Sequence, residues 1–132
     1  MSIDAFAAQV GTDVKSLRQK TGWRKIAPEA GWSGDTYISR RADKVRIIFD
    51  GISATATGAS IALILPTGFR CSAPPTVSER FLLHNTSSAG RRGYVSTNAL
   101  SVVAQTAGEP LYGSTEFFTE DIWPSTLPGN PA

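Results

Sequence analysis

The chain has 132 residues, 41% of them apolar and 18% charged, the size of one domain with enough apolar side chains for a core, which excludes long disorder. Thirteen basic against eleven acidic side chains leave +2, too weak a field for wholesale phosphate neutralisation, so no nucleic acid is expected as partner. One cysteine (Cys71) and one histidine (His84) exclude an intrachain disulfide and an ordinary zinc site, so no metal is expected.

The opening, MSIDAFAAQV, has no basic region followed by a continuous apolar stretch, and no window approaches eighteen uncharged apolar residues. Neither a signal peptide nor membrane insertion is expected, and the chain is expected to be made and assembled in a reducing cytoplasm.

Ile3, Phe6, Val10, Val14 and Leu17 recur at a mean spacing of 3.5 residues, which predicts a helix with a narrow apolar seam within residues 1–22. Ser2 is its expected N-cap and Asp4 suits the positive end of the dipole. Lys15, Arg18 and Lys20 suit the negative end, and Gly22 is the expected stop. Gly11 costs about 1 kcal/mol relative to alanine, so the helix needs its seam covered. Two coverings are open: its own domain, or the same helix from sister chains. So narrow a stripe favours the second, a parallel coiled coil. The run of basic residues from Lys15 to Lys25 is read as a solvated face with dipole matching, although it could touch an acidic partner.

Residues 23–132 read as a β-rich head, with short apolar runs broken by Gly, Pro, Asp and Asn about every ten residues. The 27 serines and threonines suit that class. Asp35–Arg40 and Lys44–Asp50 predict a hairpin around Ala42, with Val45, Ile47 and Phe49 on one face and Arg46 and Asp50 outward. The run ASIALIL (59–65) predicts a strand that is buried on both faces or sits centrally. Further strands are expected at 79–85, 93–103 and 114–119, with loops at 87–92 and 106–110. The fold class is therefore mainly β: one helix followed by an antiparallel β-sandwich or jelly-roll-like head.

Candidates for chemistry are few. His84 is the only available base and no G-x-S-x-G places a serine on a strained elbow, so His84 reads as a surface or hydrogen-bonded strand-end residue. Cys71 reads as a small half-buried filler. Glu116, Glu120 and Asp121 form the only acidic cluster, read as an exposed strand end rather than a glycosidase pair. No phosphate-cradling loop, dinucleotide fingerprint or calcium loop occurs, so no catalytic residue, no cofactor and no enzyme activity are expected. Arg91, Arg92, Tyr94 and Tyr112 are the candidate ligand-binding residues, because a Tyr ring can stack on a pyranose while guanidinium groups bond its hydroxyls. Asn98 lies nearby in sequence, while Trp32 and Trp123 read rather as core or inter-chain anchors.

FAAQVGTDVKSLRQKTGW, then Gly31-Trp32, KVRIIFDGIS, the LPTGFR of Leu65–Arg70 and the closing DIWPSTLPG of Asp121–Gly129 together resemble the C-terminal β-rich module of minor tail proteins of tailed phages, especially those of actinobacteria. The resemblance spans nearly the whole chain, and LP-x-GFR and WP-x-x-LPG are its more specific parts. Similar proteins carry proline after the GFR, where this chain has Cys71 and, later, Pro74 and Pro75.

The resemblance implies a virion protein built as a homotrimer: the amino-terminal helix serves for oligomerisation and attachment, and the β head faces outward. Two functions are then expected. One is a tail-tip or fibre-type component contacting a host cell-wall glycan, with three copies supplying avidity. The other is a capsid decoration or head-fibre protein that binds other virion proteins and stabilises the shell.

Overall fold

The computed structural model describes residues 2–72 and 79–132, without the side chains of residues 16–18. It is mainly β, with one helix, α1 (Ile3–Arg18), followed by β1 (Arg24–Ile26), β2 (Trp32–Arg41), β3 (Lys44–Ala54), β4 (Gly58–Ile64), β5 (Glu79–His84), β6 (Gly90–Val95), β7 (Ala99–Gln105), β8 (Leu111–Phe118) and β9 (Asn130–Pro131). Pro74 and Pro75 lie outside the described residues.

Ser2 caps α1 as expected: the Ala5 N–H donates to its hydroxyl at 3.1 Å. The helix ends at Arg18 rather than at Gly22. The chain after it is drawn off along β2, where the Ala42 N–H donates to Gln19 O at 2.9 Å and the Thr21 N–H to Arg40 O at 2.9 Å. A strand edge wanting partners thus outcompetes one more helical turn.

All nine strands form one sheet in the order β4-β7-β6-β5-β8-β3-β2-β1-β9, and every strand pairing is antiparallel. The expected two-sheet sandwich or jelly roll is not what forms. β5 and β8 pair at His84↔Tyr112, which joins the two halves into a single sheet.

That sheet cannot be flat. β3 and β4 stand five places apart, about 24 Å in a flat sheet, yet only residues 55–57 connect them, a link of at most about 14 Å. The sheet therefore curls into a half-barrel. Its β4 edge comes back towards the start of β2, where the Glu29 N–H reaches Ala62 O at 2.8 Å and the Trp32 indole N–H reaches Ser60 Oγ at 2.9 Å.

The concave side holds the core, where Ile38, Val45, Ile47, Ile52, Leu100 and Leu111 are all fully buried. Phe49 and Phe81 stack there with ring centroids 5.7 Å apart. Gly93 leaves room for the Phe81 ring, which would occupy the place of a Cβ.

Two strand expectations are corrected. The run 93–103 is two strands, since residues 96–98 turn the chain back. The Ser96 N–H donates to Ala99 O at 2.9 Å, while Thr97 O and Asn98 O accept from Cys71 and Leu65. β4 is an edge strand, not a central one: Ala62 and Leu63 are buried, but Ile61 and Ile64 stay 43% and 47% exposed. Bulges at Gly58/Ser60 and Ile61/Leu63 break its alternation, so a continuous apolar run here reflects an irregular edge rather than burial on both faces.

Candidate functional site

The register gives the body two ends. The β2–β3 turn at residues 42–43, the β6–β7 turn and residues 119–123 lie at the end where α1 joins. The links 55–57, 85–89 and 106–110 lie at the opposite end.

On α1 the seam is uncovered. Every side chain from Ser2 to Lys15 is exposed, with Ile3 at 86%, Phe6 at 61%, Val10 at 43% and Val14 at 41%. The side chain of Leu17 lies outside the described residues. The helix does not lay these four residues under its own sheet, whose core is closed by strand residues together with Leu65, Phe69 and Cys71 of the segment after β4.

The four ligand-binding candidates are divided by the strand period of two. On β6, Arg92 and Tyr94 face outward opposite Leu82 and Arg80, while Arg91 stands opposite buried Leu83. Arg91 is therefore not on the outward surface. Its guanidinium grips Glu109 with two bonds of 2.8 Å, and Asn85 Nδ2 donates to the same carboxylate at 2.9 Å. These bonds hold the Glu109 carboxyl below the usual range, the Arg91 bond most and the Asn85 bond next. Asn85 Oδ1 also accepts the Ser87 and Ala89 N–H groups at 2.9 Å, so two loops of the end opposite α1 are held as one unit.

Outside the sheet, Arg80 lies over the Tyr94 ring at 5.5 Å. Arg80, Phe81, Leu82 and Arg92 line a shallow depression of about 170 Å³, and Leu82 is 71% exposed. Tyr112 is farther along the same face, stacked with His84 at 6.0 Å between ring centroids and lying over Gly51. His84 is exposed at its strand end, with Nδ1 3.2 Å from Asn85 O. Arg92, Tyr94 and Tyr112 thus share the outward face with Arg80 and Leu82, which sequence reading missed. A signal for them was present: with Phe81 and Leu83 inward, Leu82 is a large apolar residue at an outward position.

The motifs LPTGFR and DIWP meet at the α1 end of the body. Asp121 Oδ2 accepts the Gly68 N–H at 2.9 Å, the Arg70 N–H at 3.0 Å and Arg70 Nε at 3.0 Å, and Oδ1 accepts Arg70 Nη2 at 3.0 Å. Burial works to raise the Asp121 carboxyl, but the bonds from Arg70 and Gly68 outweigh it, and the group sits below its usual range. Beside it Arg40, 6% exposed, donates to the carbonyls of Ala42, Gly68, Ile122 and Asp121 at 2.6–3.1 Å and lies over the Trp123 ring at 5.0 Å. Gly68, at φ +94°, admits Pro124, whose Cβ would stand 2.7 Å from a Cβ there.

Asp121 is accordingly a half-hidden structural acceptor rather than part of an exposed acidic strand end. Cys71, next to this clasp, is buried rather than half-buried. Comparison with protein-family models, with curated proteins and with solved structures finds no match for this chain.

Proposed function

We propose that this chain is a phage virion protein that assembles as a homotrimer through α1 and presents its curled β body outward as a tail-tip or fibre-type component contacting host-surface glycan. The observation that carries the reading is the bare seam: four large apolar side chains on one stripe of a helix whose own body has a complete core without them. Parallel self-association covers such a stripe at every copy at once.

The outward face supports the second half of the reading. Tyr94 and Tyr112 supply flat apolar rings, and Arg80 and Arg92 supply fixed forks of N–H donors, the combination that holds a pyranose by stacking and hydroxyl bonding. Three such faces compensate for weak single sites.

A second reading, a trimeric capsid decoration or head-fibre protein stabilising the shell, is favoured by the basic residues Lys15, Lys20, Arg24 and Lys25 that follow one another in sequence from the end of α1 into β1.

Sedimentation equilibrium tests the assembly: three chains of 14.1 kDa are expected in one particle, and a monomer at high concentration overturns the reading. Binding to purified host cell-wall glycan tests the face. Arg92→Ala with Tyr94→Ala is expected to lower binding by at least about tenfold, the loss of one good stacking or charged contact. Unchanged binding removes the glycan assignment. Gold labelling of intact particles separates tail tip from capsid.

A further inference from the structure

The strand register assembles a surface that the sequence scatters over a hundred residues. Lys20 stands opposite Arg41, Arg41 opposite Lys44, and Lys44 opposite Phe118, so three cations follow one another across neighbouring strands at the α1 end of the outward face. In the next row Arg46 stands between Ser39 and Glu116. Like charges directly opposite one another in a sheet are destabilising.

The chain does little to relieve this. Glu116 is shared by Lys44 at 3.5 Å and Arg46 at 3.6 Å, and Lys20 and Arg41 have no ion pair among the described residues. Two exposed aromatic rings lie among the cations. Phe118, 56% exposed, has Lys44 Nζ 5.9 Å from its centroid. Trp23, 37% exposed, has the Arg46 guanidinium at 5.8 Å.

A cleft adjoins the row. Gln19, Ala42 and Asp43, the chain neighbours of Lys20, Arg41 and Lys44, line a hollow of about 350 Å³ together with Arg40, Asp121 and Trp123. Ile122, also on its rim, is 84% exposed. That volume accommodates a large side chain. Its walls include the Asp43 carboxylate and the Trp123 ring, while the Asp121 carboxylate and the carbonyls beside it are already bonded to Arg70 and Arg40.

We propose that this end of the body is a docking surface for an acidic polypeptide segment: Lys20, Arg41 and Lys44 meet its carboxylates, and the Trp123 cleft takes one apolar side chain. Polypeptide is favoured over nucleic acid because a net charge of +2 is too weak a field for wholesale phosphate neutralisation, whereas an acidic segment needs only the few cations of this row. Aromatic residues and arginine on an otherwise polar face are also the side chains that dominate protein–protein contacts. The proposal rests on the virion reading only in assigning that segment to a neighbouring protein of the particle; its position beside α1 puts attachment and oligomerisation at the same end.

The test uses the full chain and a short fluorescein-labelled peptide of Asp and Glu with one central Leu, followed by fluorescence anisotropy. Binding is expected to weaken with salt, because exposed charges are screened within about 10 Å at 0.1 M. Arg41→Glu and Arg92→Glu change the net charge equally. Arg41→Glu is expected to weaken binding by at least about tenfold, and Arg92→Glu by less than about twofold, since a rim charge acts through its position. Ile122→Ser, at a position too exposed to matter for folding, is expected to weaken the Leu peptide but not the same peptide with Ser in place of Leu.

Equal losses from Arg41→Glu and Arg92→Glu overturn the proposal, as does tighter binding of a single-stranded oligonucleotide of the same length than of the peptide. Sedimentation of the same samples separates the two readings. A monomer that still binds the peptide sinks the trimer and keeps the docking surface; a trimer indifferent to the peptide does the reverse.

Discussion

Placing a carboxylate in the α1 seam by Val10→Asp is expected to dissolve the trimer while leaving the β body intact. Ile3, Phe6, Val10 and Val14 are 86, 61, 43 and 41% exposed. That leaves roughly two whole apolar side chains in water, and at about 1.5–3 kcal/mol per side chain their covering stabilises each protomer by about 3–7 kcal/mol. Association costs about 4–15 kcal/mol in lost translational and rotational freedom for each chain that joins. For the proposed trimer the three seams together give about 9–21 kcal/mol against about 8–30 kcal/mol for the two chains that join, terms close enough that one substitution can tip the balance. Aspartate forfeits the Val10 contribution and brings three like charges together near one axis, where desolvation adds to their repulsion. The variant is expected to sediment as a monomer at concentrations where the parent is a trimer. Thr12→Asp, about 200° around the helix from Val10, is expected to remain a trimer. Because α1 adds nothing to the core, the denaturant midpoint of the body, followed through buried Trp32, is expected to stay unchanged in both. A Val10→Asp variant that stays trimeric, or a body that unfolds with it, refutes the argument that the seam is an assembly device.

Gly93→Ala is expected to lose about 1–3 kcal/mol, the cost of overpacking. The new Cβ falls on the Phe81 ring, which cannot retreat because it is stacked on Phe49; an unchanged urea midpoint would show that the ring has room. Arg40→Lys keeps the charge but not the planar fork. Of the carbonyls of Ala42, Gly68, Asp121 and Ile122 two or more lose their donor, a loss of about 2–4 kcal/mol, and stability equal to the parent's would remove the clasp from the account. Glu109 and Asp121 are both held below the usual carboxyl range, so each contributes stability that is complete above the unfolded value of about 4 and is lost as pH falls through the lowered folded one. Urea midpoints are expected to hold from neutral pH to about 5 and to drop below about 4, with a shallower drop in Asp121→Asn; an identical acid limb in that variant counts against the assignment.

The helix and its cap were legible because both are local. A 3.5-residue stripe and a serine before it need no knowledge of the rest of the chain. The hairpin from Asp35 to Asp50 was legible for the same reason, since alternation and a two-residue turn lie within one short segment. What could not be read is non-local. The run ASIALIL is as apolar as a central strand, and only the pairing with β7 and the bulges around Ser60 and Ile61 show it to be an edge. The break at residues 96–98 carries no glycine or proline. It is a turn because Thr97 O and Asn98 O are acceptors for Cys71 and Leu65, partners some thirty residues away. Arg91 and Arg92 are adjacent and chemically alike, yet opposite facing on β6 makes one a loop staple and the other an outward group. The row of Lys20, Arg41 and Lys44 exists only in the register.

The LPTGFR and DIWP motifs serve the fold more than a ligand. Gly68 and Arg70 from LPTGFR are bonded to Asp121 from DIWP, Trp123 lies over Arg40, and Pro124 fills the space that Gly68 leaves open. Each of these side chains is needed where it stands to pin the exit from β8 to the β2–β3 turn. None of Arg80, Leu82, Arg92 and Tyr94 belongs to the clasp, and neither does the α1 seam. Substitutions at Gly68 and Pro124, which line no part of the Trp123 cleft, should therefore act on stability alone, whereas those on the outward face and in the seam should change binding or assembly with stability intact. The functional proposal stands on that second group of residues, which is why its tests are sedimentation and glycan binding rather than melting.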